Sequence, residues 1–193
     1  ARNSTGTATN FAYLHVDTTF TKITTGPQVT DLGSSWGASW GDYDGDGFAD
    51  LFVARNTNGL SALYHNNRDG TFARVSNAPF PQTADAWGSG AWADFDHDGR
   101  QDLVAARWGK PGVVYCNNGD GTFETLQLDG AAGWGVAVAD YDRDGRLDIL
   151  LSTGVSAWEA KAALLYRNNG NRTFTRMTTQ EVGAIATIEG SMP

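Results

Sequence analysis

Three stretches, GDYDGDGFADLF, ADFDHDGRQDLV and ADYDRDGRLDIL, each set four aspartates on the pattern D-x-D-x-D-G-x-x-D. They are Asp42, Asp44, Asp46 and Asp50; Asp94, Asp96, Asp98 and Asp102; and Asp140, Asp142, Asp144 and Asp148. Side chains at positions 1, 3 and 5 of such a run can converge while the carbonyl of position 7 turns inward. Glycine at position 6 permits the sharp bend, and a carboxylate at position 9 closes the shell. All-oxygen donors suit a hard cation, and several carboxylates around one ion suit Ca2+ better than Mg2+, which keeps its waters. Without a cation the arrangement is costly. Two unit charges about 4 Å apart repel by ~1 kcal/mol even in water, so six such pairs would cost on the order of 6 kcal/mol per loop. That is comparable to the whole stability of a domain, ~5–15 kcal/mol. The pattern predicts three Ca2+ sites.

The acidity is local. Twelve of the 22 acidic residues lie in the three loops, and the rest of the chain carries 14 basic against 10 acidic residues, although the net charge is −8. That net charge argues against nucleic acid as a partner, since phosphate binding wants a Lys/Arg excess on some face. No apolar run approaches the roughly 18 residues of a membrane span, so membrane insertion is not expected either. The single cysteine, Cys116, excludes an intrachain disulfide framework and a cysteine zinc site.

The elements that must hold these loops follow from a repeat. Each loop is followed by an apolar run (LFVAR, LVAAR, ILLST) and then by LYHNNRDGTFARV, VYCNNGDGTFETL or LYRNNGNRTFTRM; Tyr64, Tyr115 and Tyr166 are spaced by 51 residues. Each unit reads as four short strands: an alternating one before the loop, the apolar run after it, the LY strand and the TF strand. The NN-containing segments read as hairpin turns, where Asn and Gly accept positive φ. One four-stranded sheet cannot bury both faces alone and must stack on copies of itself, so the fold class is all-β, a β-propeller of four-stranded antiparallel blades. Small residues beside the first strand of each unit, Gly37, Gly88 and Gly135 among them, suit the crowded innermost position.

The expected organisation is a flexible Thr/Ser-rich arm at 1–10, a partial unit at 11–24, complete units at 32–76, 84–127 and 131–178, and a partial unit at 182–193. Three complete blades with partial ends fall short of the smallest propellers. They belong to a larger propeller, combine their ends into a composite blade, or take strands from another chain.

WGDYDGDGFADLFVAR…LYHNNRDGTF and WGVAVADYDRDGRLDILLS…LYRNNGNRTF resemble the FG-GAP and VCBS-type calcium-binding blades of integrin α-subunit propellers and the cartilage acidic protein family, over about residues 11 to 190. The resemblance implies Ca2+ held by the four aspartates and by the position-7 carbonyls, here those of Phe48, Arg100 and Arg146. EF-hand and dockerin loops differ, because position 12, where they need a carboxylate, is Val53, Ala105 or Leu151. The family's Phe-Gly is replaced here by Trp-Gly at 36–37, 87–88 and 134–135, and no Gly-Ala-Pro follows the second strand.

Other features carry less chemistry. GASWG, Gly37 to Gly41, matches the G-x-S-x-G nucleophile pattern but sits in a predicted strand rather than a strand-to-helix elbow, and no acid, base and nucleophile cluster breaks the repeat; no enzymatic activity is expected. His15, His65 and His97 read as surface residues. Cys116 takes the repeat position of His65 and Arg167 and is expected to be partly exposed. Trp36, Trp87 and Trp134 recur with the repeat and are expected to pack between blades, whereas Trp108 and Trp158 fall in variable loops as candidate ligand-binding residues. Asn3 and Asn171 begin N-glycosylation sequons.

The expected function is that of an extracellular calcium-stabilised structural or adhesion module, self-assembling through incomplete terminal blades, with other protein chains (copies of itself included) or glycans as partners. Two alternatives are a carbohydrate-binding lectin and an accessory domain of a secreted hydrolase or lyase. The extracellular expectation follows from the millimolar Ca2+ that such sites need.

Overall fold

The computed structural model describes residues 10–31, 33–55, 60–80, 86–153 and 163–178. The arm at residues 1–9, Asn3, Trp158 and the partial unit at 182–193 lie outside the described residues.

Strands β1 (Ala12–Val16) and β2 (Thr19–Ile23) pair antiparallel as a two-stranded sheet, followed by a single helical turn, α1 (Pro27–Thr30). The first complete blade contains β3 (Ser35–Gly41), β4 (Asp50–Arg55), β5 (Ala62–Asn66) and β6 (Phe72–Arg74). The second contains β7 (Trp87–Ala93), β8 (Asp102–Arg107), β9 (Pro111–Asn117) and β10 (Phe123–Ala131). The third contains β11 (Val136–Ala139), β12 (Asp148–Leu151), β13 (Leu164–Gly170) and β14 (Thr173–Arg176). In each blade the strands are antiparallel neighbours in chain order. The described residues therefore form three four-stranded β-propeller blades, preceded by a two-stranded sheet. Among the described residues, no helix is long and apolar enough to cross a membrane.

The side-chain alternation of a strand explains the apolar runs. Phe52 and Ala54 of β4 pack with Leu103, Ala105, Val113, Tyr115 and Trp87 in a core between blades 1 and 2. Val104 and Ala106, one residue out of phase on β8, join Ile149, Leu151, Leu164 and Tyr166 between blades 2 and 3. A second strand buried on both faces must be apolar throughout. Leu51, Val53, Ala62 and Tyr64 form a smaller cluster on the other face of blade 1.

The innermost strands touch closely. A Cβ on Gly88 would lie 2.4 Å from the carbonyl oxygen of Trp134, and one on Gly41 would lie 2.3 Å from the Trp92 ring, so residues without a side chain are required there.

Three expectations change. Cys116 is fully buried, because its side chain points into the core between blades 2 and 3, and burial pushes its thiol up to about 12. The positive φ angles of the hairpin turns fall on Arg68 and Gly70, on Gly119 and Gly121, and on Gly170, Asn171 and Arg172; the first Asn of each pair is used differently, as described below. Trp87 is buried at 1% exposure, but Trp36 and Trp134 keep 42% and 37% and meet each other at a 34° tilt between blades 1 and 3 instead of entering the core.

Candidate metal centres

Each acidic loop joins the innermost strand of a blade to the second, and the three loops share one set of side-chain to backbone bonds. Asp42 accepts the amides of Asp46 (3.0 Å) and Gly47 (2.9 Å), and Asp46 accepts that of Phe48 (2.8 Å). Asp94 accepts Asp98 (3.1 Å) and Gly99 (3.0 Å), and Asp98 accepts Arg100 (2.9 Å). Asp140 accepts Asp144 (3.1 Å) and Gly145 (3.0 Å), and Asp144 accepts Arg146 (2.9 Å). Position 6 is left-handed in all three, at φ 87°, 84° and 89° for Gly47, Gly99 and Gly145. Position 4 is left-handed as well, in Gly45, His97 and Arg143.

The position-9 aspartates, Asp50, Asp102 and Asp148, are buried. One oxygen of each accepts the amide of position 2, from Tyr43 (3.1 Å), Phe95 (3.0 Å) or Tyr141 (3.1 Å). The other accepts the amide of the first Asn on the third strand, from Asn66 (2.8 Å), Asn117 (2.7 Å) or Asn168 (2.8 Å). These carboxylates close the loop and tie it to its sheet. Burial pushes the Asp102 carboxyl up to about 6 and raises Asp50 and Asp148 in the same direction, although the amide donors oppose it. A buried carboxylate that resists ionisation is one a cation would stabilise.

Carboxylate oxygens of Asp42, Asp44 and Asp46 lie within 4.8 Å of one another, as do those of Asp94, Asp96 and Asp102, and of Asp140, Asp142 and Asp148. With Ca2+–oxygen distances of 2.3–2.6 Å, one ion spans donors up to about 5 Å apart, so all three sets fit Ca2+. The remaining predicted carboxylates, Asp98 and Asp144, are held by the guanidinium groups of Arg100 and Arg146. The Nε groups of those arginines donate to the carbonyls of Asn117 (3.2 Å) and Asn168 (2.8 Å), so only the backbone of position 7 can face a metal. Phe48, at the same position, has a ring 43% exposed beneath the Arg68 guanidinium.

Nearby cations distinguish the loops. Arg68 bonds Asp46 at 2.7 Å and holds its carboxyl below the usual carboxylate range. Arg172, from the hairpin of blade 3, reaches into the loop of blade 2, 2.7 Å from Asp96 and 3.4 Å from Asp98. Burial pushes Asp96 up, but the Arg172 hydrogen bond and charge outweigh it and hold that carboxyl low. His65, expected on the surface, sets Nδ1 3.0 Å from Asp44 and 3.3 Å from Asp50; His15 and His97 are exposed as expected. The replacement of Asp-Gly-Thr by Asn-Arg-Thr at 171–173 was the available signal for Arg172.

At the opposite end of the sheets, Trp36 at the start of β3, Trp108 after β8 and Trp134 before β11 cluster. Their ring centroids are 3.9 Å (36–134), 4.7 Å (108–134) and 6.1 Å (36–108) apart, and Trp108 is 37% exposed. Ser39, of the G-x-S-x-G pattern, pairs with Phe52 within β3 and is not at an elbow. Asn171 is exposed in the turn between β13 and β14.

The chain matches the family model of the FG-GAP-like repeat over residues 42–105 and 94–151, spans that include all three loops. No curated protein matches it. A solved structure of an Agrocybe aegerita lectin, described as the basis of specific recognition of non-reducing terminal N-acetylglucosamine, superposes with a TM-score of 0.52 at 24% identity. The match covers 80% of this chain and 42% of that lectin, so the chain spans less than half of its length; the likeness is one of fold.

Proposed function

We propose, from the premise that this chain belongs to the FG-GAP-like repeat family, that it is an extracellular calcium-stabilised structural and adhesion module. The observation that carries the reading is the threefold recurrence of one loop geometry, with three carboxylates converging in each and a buried position-9 aspartate tying the loop to its sheet. Bound Ca2+ would supply the charge that lets Asp50, Asp102 and Asp148 ionise inside the fold. The chain's own residues do the rest: they orient the donors through loop amides and fasten each loop to its third strand. Asp42, Asp44, Asp46, Asp50 and the Phe48 carbonyl would hold the first ion. Asp94, Asp96, Asp98, Asp102 and the Arg100 carbonyl would hold the second, and Asp140, Asp142, Asp144, Asp148 and the Arg146 carbonyl the third. Sites of this kind fill where Ca2+ is millimolar, which supports the extracellular assignment.

Partners in this reading are other protein chains, copies of this one included. An open cleft of about 550 Å³ between the two-stranded sheet and blade 1, lined by Phe11, Tyr13, Ile23, Trp36, Trp40 and Phe72, supports a protein contact there. Thermal melting with Ca2+ and then with chelator, alongside a native mass measurement, tests both halves. A melting point indifferent to chelator would sink the calcium reading, and a strict monomer the self-assembly.

A second reading, glycan binding, is favoured by the exposed cluster of Trp36, Trp108 and Trp134, since aromatic faces offer stacking surfaces to sugar rings. Glycan-array binding that survives substitution of Trp108 would remove it.

A further inference from the structure

The first loop differs from the other two in one donor. Nδ1 of His65 is shielded from solvent and has no hydrogen-bond partner, yet it lies 3.0 Å from a carboxylate oxygen of Asp44 and 3.3 Å from one of Asp50. These three residues form a ligating set of their own, with donor atoms within 4.8 Å of one another. At the matching repeat positions, Cys116 points into a core and Arg167 is exposed. Among the described residues, only at the first loop does a histidine nitrogen fall within a converging ligand set; His97 of the second loop is exposed and belongs to none.

We infer that Asp44, Asp50 and His65 form a site for a divalent transition-metal ion of the zinc class, distinct in selectivity from the all-oxygen loops of blades 2 and 3. Imidazole nitrogen suits zinc and its neighbours in the first transition row, whereas Ca2+ is bound through oxygen. With metal–ligand bonds of about 2.0–2.2 Å, tetrahedral donors sit about 3.4 Å apart, close to the separations His65 already keeps from both carboxylates. The Asn66 amide donates 2.8 Å to the same Asp50 oxygen, and Tyr43 donates its amide to the other, so the carboxylate is oriented from behind as ligating carboxylates commonly are. Three protein ligands leave the fourth position to water. Because Asp44 and Asp50 are shared with the calcium loop, the two ions exclude each other at blade 1 only. The inference rests on this loop holding a divalent cation and deepens that reading by naming its metal class.

Co2+ serves as the probe because its visible absorption reports nitrogen and oxygen ligation. Titrating the full chain in excess Ca2+ should give one Co2+ per chain with visible bands, displaced by Zn2+, and should release one Ca2+. His65→Gln should weaken Co2+ binding by at least about tenfold, the scale on which even outer-shell changes act. Arg167→Gln, at the equivalent position of blade 3, should leave it unchanged. Absent bands, or an affinity indifferent to His65→Gln, would overturn the inference, because a histidine that serves only as an ion-pair partner gives that result. If His65→Gln does not fold, nitrogen NMR of the wild-type imidazole decides: one equivalent of Zn2+ must move the Nδ1 resonance to that of a metal-ligated nitrogen, which Ca2+ at the neighbouring carboxylates cannot do, and an Nδ1 that Zn2+ leaves unligated overturns the proposal. Calcium-dependent melting with no Co2+ bands would leave the calcium reading standing while this one falls.

Discussion

The side-chain amide of Asn168 donates 2.8 Å to the carbonyl of Phe95, the second residue of the acidic loop one blade earlier. Asn117 does the same to Tyr43 at 2.6 Å. Each asparagine also gives its backbone amide to the position-9 aspartate of its own blade, so one residue fastens two neighbouring loops. Asn66, in blade 1, turns its side-chain amide to Ala49 of its own blade instead.

Replacing either interblade asparagine by alanine strands a carbonyl at a boundary where Asn117 and Asn168 are themselves buried. A buried polar group left unpaired costs about 1–3 kcal/mol. At this chain length each kcal/mol lowers the melting temperature by about 2–4 °C. Calorimetry should therefore show Asn117→Ala and Asn168→Ala melting several degrees lower, with Asn66→Ala affected less.

The repeat made the strands, the loops and the blades legible, because a period of 51 residues aligns residues that share an environment. The same alignment shows Asn66, Asn117 and Asn168 in one column, but a column does not say which neighbour a side chain reaches. Cys116 and His65 illustrate the loss. They share a repeat position, yet the short Cys116 is fully buried in a core while the longer His65 stays partly exposed with Nδ1 beside Asp44 and Asp50. Arg172 likewise acts on a loop 76 residues away in the chain, a contact that depends on blade stacking.

The metal-free protein should lose stability as pH rises through about 6. Burial raises the folded Asp102 carboxyl to about 6, above its ordinary value of 3.8. A group with a raised folded value binds its proton more tightly when folded, so its contribution is complete below the unfolded value and lost as pH passes the folded one. Asp50 and Asp148 shift the same way. Melts in chelator should be higher at pH 5 than at pH 7.5, and saturating Ca2+ should shrink or reverse that order. Equal melting in chelator at both pH values would contradict the assignment.

Arg172 supplies positive charge to the second loop, so Arg172→Gln should have opposite effects on folding and on binding. The variant loses its bonds to Asp96 and Asn118 across the blade 2–3 boundary and should melt lower in chelator. Calcium should then recover more of the loss than in the parent, because the carboxylates it meets are no longer occupied by a guanidinium. Calorimetric titration should show one of three sites tightening; three unchanged affinities would count against the competition.

Glycine at the inner strands sets how closely blades approach. Gly88→Ala drives a Cβ to 2.4 Å from a backbone oxygen, which cannot move without shifting blade 3. Overpacking of this kind costs about 1–3 kcal/mol. At Gly135 the nearest atom is the Ser152 hydroxyl at 3.2 Å, a side chain that can give way, so denaturant titration should show Gly135→Ala losing less stability than Gly88→Ala.

The tryptophans separate packing from recognition. Trp87, 1% exposed among Phe80, Tyr115 and the Arg107 guanidinium, is a core residue, and Trp87→Ala should cost about 3–5 kcal/mol. Trp36 and Trp134 keep over a third of their surface in water while their ring centroids lie 3.9 Å apart, so removing either should cost markedly less. Their close rings should give an exciton couplet in far-ultraviolet circular dichroism that disappears in Trp134→Ala, is reduced in Trp36→Ala to the part from Trp108 and Trp134, and in Trp108→Ala to the part from Trp36 and Trp134. If the cluster is a stacking platform, Trp108→Ala should abolish glycan retention with the fold and the Trp36–Trp134 part of the couplet intact. Retention lost only in variants that also melt lower would assign these rings to packing instead.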